Sequence, residues 1–179
     1  MLPLLPPLRE HFDSLEDRLV LFARQGIQVE GWFKAETLLV LSRLLSEGTI
    51  EALDREVRFP EGRVDITFTY RGQLHLVEIK HWLVGHQREY EYDTDFYFTD
   101  RTSVGILPDV SKLARIHSLG AKWLMLFVTA RPEPDVWDKG VSTFNSKFMP
   151  FHLAAHTSPA DFPEAYFLGL LQVFKGTDA

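Results

Sequence analysis

At 179 residues the chain is long enough to bury a core of its own, and its 45% hydrophobic, 25% charged composition is that of an ordinary globular protein. It has no cysteine, which excludes a disulfide framework and a thiolate zinc site and fits a reducing cytoplasm. The formal net charge of -6 excludes a generic basic nucleic-acid coat protein, but not an enzyme that gathers carboxylates around a metal beneath a local basic rim.

The first eight residues are apolar but short, broken by Pro3, Pro6 and Pro7, and carry no basic leader. They do not read as a secretory signal, and no later apolar run is long enough to span a bilayer. Leu8, Phe12, Leu15, Leu19 and Phe22 recur at helical spacing, with Gly26 as the stop. A second helix is expected from Trp32 to Glu47, ended by Gly48; apolar residues nearly encircle it, which predicts packing on more than one side. Glu51 to Phe59 follows as a strand, and Pro60-Glu61-Gly62 as a turn.

The stretch from Gly62 to Lys80 carries the chemistry. It reads as two strands joined at Arg71-Gly72, so that Tyr70 opposes Gln73 and paired positions sum to a constant. On that register Asp65 lies opposite Glu78, with Cβ atoms about 4.5–5.5 Å apart on one face. Two such carboxylates repel unless a positive charge lies between them, and a divalent cation is the economical answer. A three-residue loop would slip the register by one and send the two acids to opposite faces. Val64, Ile66, Phe68 and Tyr70 share a face with His75, Val77 and Ile79, which is expected to be core. The other face is mixed and holds the charges, including Lys80.

His81 to Leu107 is rich in Tyr, Asp and Glu and reads as a short helix around Gln87 to Tyr92 or as an extended flap. Asp109 to Leu119 is expected as a helix with Asp109 as N-cap and Gly120 closing it. Lys122 to Ala130 is an apolar run suited to a buried strand, and Arg131-Pro-Glu-Pro a loop. Asp135 to Ala160 shows no clean period, and Asp161 to Phe174 looks like a closing amphipathic helix. One domain over 1–179 is expected: α/β, with helices flanking a mixed sheet.

The order helix, strand, strand, strand, helix, strand, together with Asp65, twelve intervening residues and Glu78-Ile79-Lys80, resembles the PD-(D/E)xK phosphodiesterase superfamily. The resemblance spans roughly residues 31–130 and implies a restriction-endonuclease-like α-β-β-β-α-β core, with N- and C-terminal helical extensions outside it. It implies a nuclease that cuts nucleic acid, DNA foremost, with magnesium or manganese held by Asp65, Glu78 and the Ile79 carbonyl. Lys80 would orient or deprotonate the attacking water. Many members carry a glutamate on the first core helix aimed at the metal; Glu36, on a face with Trp32, Phe33, Leu39 and Val40, is the match here. The contexts Gly31 to Glu36 and Val77 to Trp82 look similar to the NERD-type branch. Gln87 and Tyr90 are one residue short of the Gln-x-x-x-Tyr spacing of another branch, so that role is not carried over. Enzymes of this size and fold often dimerise to cut both strands, which makes a homodimer an expectation.

Lys112 and Arg115, on one side of the later helix, are candidates to grip backbone phosphates. The competing reading is a surface checkerboard in which Arg63 opposes Lys80 and charges pair on the diagonals. A second alternative is a nuclease-fold module without turnover that binds nucleic acid or a partner protein. His152 and His156 have the i, i+4 spacing of a helical zinc pair but lack the glutamate and third ligand of a metalloprotease.

Overall fold

The computed structural model describes residues 1–83, 98 and 105–175. The segment expected as a flap or short helix, with Gln87 and Tyr90, falls outside them. The described elements are α1 (Leu5–Asp13), α2 (Glu16–Gln25), α3 (Glu30–Ser46), β1 (Ala52–Phe59), β2 (Gly62–Tyr70), β3 (Gln73–Leu83), α4 (Leu107–Arg115), β4 (Ala121–Thr129), α5 (Pro134–Lys147), β5 (Phe151–Ala155) and β6 (Phe167–Lys175). They form an α/β fold around one six-stranded mixed sheet of order β1-β2-β3-β4-β6-β5. Only β3 and β4 run parallel, joined by a crossover that includes α4; every other neighbour is antiparallel.

The elements up to β4 follow the local signals, except that α4 stops at Arg115, short of the expected Leu119. Gly26 ends α2 in the left-handed conformation (φ 63°), which glycine adopts without a Cβ clash. The expected first helix is split into α1 and α2 at Ser14-Leu15, where the chain turns. Arg71 and Gly72 both have positive φ (51° and 71°), the two-residue turn whose twist matches the flanking strands. Tyr70 accordingly pairs with Gln73, and the register runs unslipped to Ile66 and Val77.

Three layers result. Phe33 of α3 stacks on Phe127 of β4 at 4.1 Å and Phe12 of α1 packs beside both, which places α1–α3 on one face. Trp137 of α5 meets Trp82 of β3 and Phe167 of β6 on the other, which α4 shares. The sheet is therefore buried on both sides. The face of β2 and β3 expected to be mixed is covered too, and Thr67 and Leu76 are as inaccessible as Phe68 and Val77. Burial of each large apolar side chain contributes about 1.5–3 kcal/mol.

Three expectations are corrected. Residues 161–174 are no amphipathic helix: Phe167–Lys175 is a strand, its run Phe167 to Leu171 buried on both faces between β4 and β5. Alternation is absent in a strand covered on both sides, and that absence mimics a helix. Residues 134–147 form a helix that sequence periodicity missed, although Pro134 in its first turn and the buried set Trp137, Gly140 and Phe144 mark it. His152 lies on strand β5, not on a helix, so it and His156 are not one turn apart as a zinc pair requires.

Candidate functional site

Asp65 and Glu78 are both buried, at 9% and 6% exposure, which rules out the surface checkerboard. The sheet opens at this point. The β1–β2 register is unshifted on either side but skips Glu56, whose φ is 56°, and Asp65 opposite it, and the β2–β3 register ends at Ile66–Val77. Glu56 turns its carboxylate out to Arg63 at 2.6 Å. Where the β2–β3 ladder stops, the Ile79 N–H donates to the Asp65 carboxylate at 2.9 Å instead. Asp65 is thus fixed against the backbone of the strand that carries Glu78.

Three lysines meet the acids. Lys34 of α3 reaches Asp65 at 2.9 Å and Glu30 at 3.0 Å. Lys112 of α4 donates to Glu78 at 2.6 Å and lies 3.6 Å from Asp109. Lys80 extends to Asp109 at 2.9 Å. Gly62 permits this arrangement: a Cβ there would lie 2.9 Å from the Lys112 side chain.

The electrostatics follow from burial and neighbours. Burial, then the charge of Asp65, pushes the Glu78 carboxyl up to about 7, against the pull of Lys112. Its Oε2 is buried without a hydrogen-bond partner. Burial alone would lower Lys34 and Lys80, but hydrogen bonds to Asp65 and to Asp109 respectively reverse the sign and hold both ammonium groups above their ordinary value. The result is an acid cluster neutralised from within.

Asp65, Glu78, Ile79 and Lys80 therefore lie near one another, although the ladder ends one position short of the expected Asp65–Glu78 pair. Glu36 does not join them. Its carboxylate turns to α1 and bonds His11 at 2.7 Å, while Leu39, expected on its inward face, is 62% exposed. The buried face of α3 runs through Phe33, Thr37, Val40, Leu41 and Leu44. Lys112 is held in the cluster, on Glu78, where a phosphate clamp was expected; Arg115 lies one helical turn beyond it. Asp109 is not the N-cap of α4, a position held by Ile106; it lies in the first turn and binds Lys80 and Lys112.

Lys34 and Glu30 were not singled out from sequence, and Asp109 only as a helix cap. The available signal was Glu30 four residues before Lys34, a favourable helix pair, on the first core helix.

Among the described residues no three His, Cys, Asp or Glu side chains gather as a ready-made metal cage. The donor set nevertheless fits a hard cation such as magnesium. Two buried carboxylates from adjacent strands and one unsatisfied oxygen are what a cation that keeps several waters takes from a protein. No described helix is long and apolar enough to cross a membrane.

The chain matches no protein-family model, no curated protein and no solved structure.

Proposed function

We propose that this chain is a magnesium- or manganese-dependent nuclease that hydrolyses phosphodiester bonds, DNA foremost. The reading places it on a restriction-endonuclease-like core of the PD-(D/E)xK kind, for which α3-β1-β2-β3-α4-β4 supplies the element order. One observation carries it. Two buried carboxylates converge from the opened end of a hairpin, and one of their oxygens has no partner. Such a group costs several kcal/mol in a purely structural site.

Asp65, Glu78 and the Ile79 carbonyl would hold the ion, which polarises the phosphate and acidifies a bound water when present. The protein's own part follows from its contacts. Asp109 fixes Lys80 in one orientation, so the amine stands ready to position the attacking water and take up negative charge at the phosphorus. As the water oxygen bonds to phosphorus and gives a proton to solvent, the ester P–O bond breaks and the leaving oxygen takes a proton from solvent. Lys34 and Lys112 neutralise the acids; with an ion bound there, both ammonium groups would be free to turn to the phosphate oxygens.

A second reading is a nuclease-fold module without turnover. The same lysines favour it, because Lys34 and Lys112 already satisfy the charge a metal would satisfy. Calorimetric titration with manganese, wild type against Asp65→Asn, separates the two. Binding in the wild type that Asp65→Asn abolishes, together with cleavage of labelled DNA, supports the enzyme. No heat of binding in the wild type overturns it.

A further inference from the structure

Beside the acid cluster lies a cleft of about 630 Å³ whose charge is inverted relative to the chain as a whole. Its walls include Arg115, His117, Lys122 and Lys175, against a single carboxylate, Glu61. In a chain with 25 acidic and 19 basic residues, three Lys and Arg converging on one cavity is a local reversal of sign. Leu119 stands at the rim fully exposed, an apolar surface with nothing of this chain upon it.

Two elements of the site lead into the cleft. Arg115 lies three residues past Lys112 on α4, about 4.5 Å along the helix axis. Glu61 precedes Gly62, whose missing side chain lets Lys112 reach Glu78. Lys112 and Gly62 thus stand between the cluster and the cleft. The base of the cleft is rigid: the Lys122 ammonium donates to the carbonyls of Ile116 at 2.7 Å and Ala114 at 3.4 Å, fixing the end of α4.

We infer that this cleft binds the backbone of a single nucleic-acid strand running from the acid cluster along the C-terminal end of α4. Arg115 and Lys175 grip its phosphates, and Leu119 lies against a sugar or base. The inference rests on the proposed function for its class of ligand and on the cleft's own charge for its location. Repeating anionic charge one helical turn from the cluster is what a polyanionic chain supplies and a lone anion does not. Glu61 opposes the phosphates and sets the limit of the track.

The test is fluorescence anisotropy of a labelled single-stranded oligodeoxynucleotide, in EDTA so that neither metal nor cleavage contributes. Arg115→Glu with Lys175→Glu is expected to weaken binding about tenfold and to flatten the dependence of log affinity on log salt by about 1.4, since each lost contact to a single strand removes about 0.7. Glu61→Lys is expected to tighten binding, a gain that misfolding cannot imitate. Arg43→Glu, on the exposed side of α3, is the control and should leave affinity within twofold. Unchanged affinity and slope in the double variant overturn the proposal. So does an equal loss in the control, or full competition by inorganic phosphate, which would mark a small-anion site. Failure here leaves the manganese titration untouched, and failure there leaves this result standing, so the two are told apart.

Discussion

The Asp65 carboxylate accepts the Ile79 N–H at 2.9 Å at the point where the ladder between their strands ends. A side chain takes the place of a backbone acceptor, which keeps the parted strands in register and leaves the second acid, Glu78, beside the first. Burial first, and then the repulsion between them, raises the Glu78 carboxyl. Lys34 and Lys112 offset that cost in part, and one Glu78 oxygen stays without a hydrogen-bond partner.

Glu78→Gln removes the repulsion while keeping an oxygen for Lys112. The folded-state carboxyl lies above its ordinary value, so the native state binds the extra proton, and its stability falls as pH rises from about 4.5 through about 7. The variant should exceed the wild type by about 1–2 kcal/mol above pH 7 and match it near pH 4. Chemical denaturation at the two pH values, in EDTA, reads the difference. A less stable variant at pH 8 contradicts the account.

Metal affinity should carry the same proton. An ion bound at Asp65 and Glu78 needs the ionised carboxylate, so binding releases a proton below about pH 7 and none well above it. Affinity for manganese is then expected to rise up to about tenfold per pH unit below 7 and to level off beyond. Titrations in two buffers of different ionisation enthalpy count the proton directly.

Lys34→Met leaves a buried Asp65 with the Ile79 amide as its remaining donor. The loss should be about 1–3 kcal/mol, below that of a fully buried pair because Lys34 keeps some contact with water. Combined with Asp65→Asn in a double-mutant cycle, the two changes should be markedly non-additive. Glu36→Gln, whose carboxyl faces His11, should show no coupling to Asp65→Asn, and coupling would put Glu36 back in the site.

His75 and His81 are buried as neutral rings, each held down to about 4 by burial. A depressed histidine gives stability that is whole above about 6.5 and is lost as pH falls toward 4, because the unfolded chain binds the proton first. Melting temperature should therefore drop steeply across that window, in addition to any carboxylate effect. His75→Gln should flatten the drop by roughly half.

Arg71→Asn should stabilise the hairpin by about 0.5–1 kcal/mol, since Asn tolerates positive φ better than Arg. The contact of the Arg71 guanidinium with the Tyr70 ring, at 5.1 Å, offsets part of the gain. Gly169→Ala should cost about 1–3 kcal/mol, because its Cβ would lie 2.6 Å from the Trp137 ring. Thermal unfolding of both variants checks the signs.

What the sequence determined lies in short stretches. The Arg71-Gly72 turn and the residues flanking it fix a pairing sum, and that sum carries the ladder to Ile66 and Val77, the neighbours of Asp65 and Glu78. The span of α3 and its stop at Gly48, and the buried run of β4, were legible because their apolar spacing, glycine stop and burial are local properties. The tertiary structure decided the rest. Lys34 and Glu36 point about 200° apart around α3, so which of them meets Asp65 depends on which side of the helix packs toward the opened hairpin and which toward α1. Asp109, Lys112 and the basic cleft depend on where α4 comes to rest across the sheet, and β6 on its insertion between its near neighbour β5 and the more distant β4. Those placements are set by packing between segments far apart in sequence, and no local pattern encodes them.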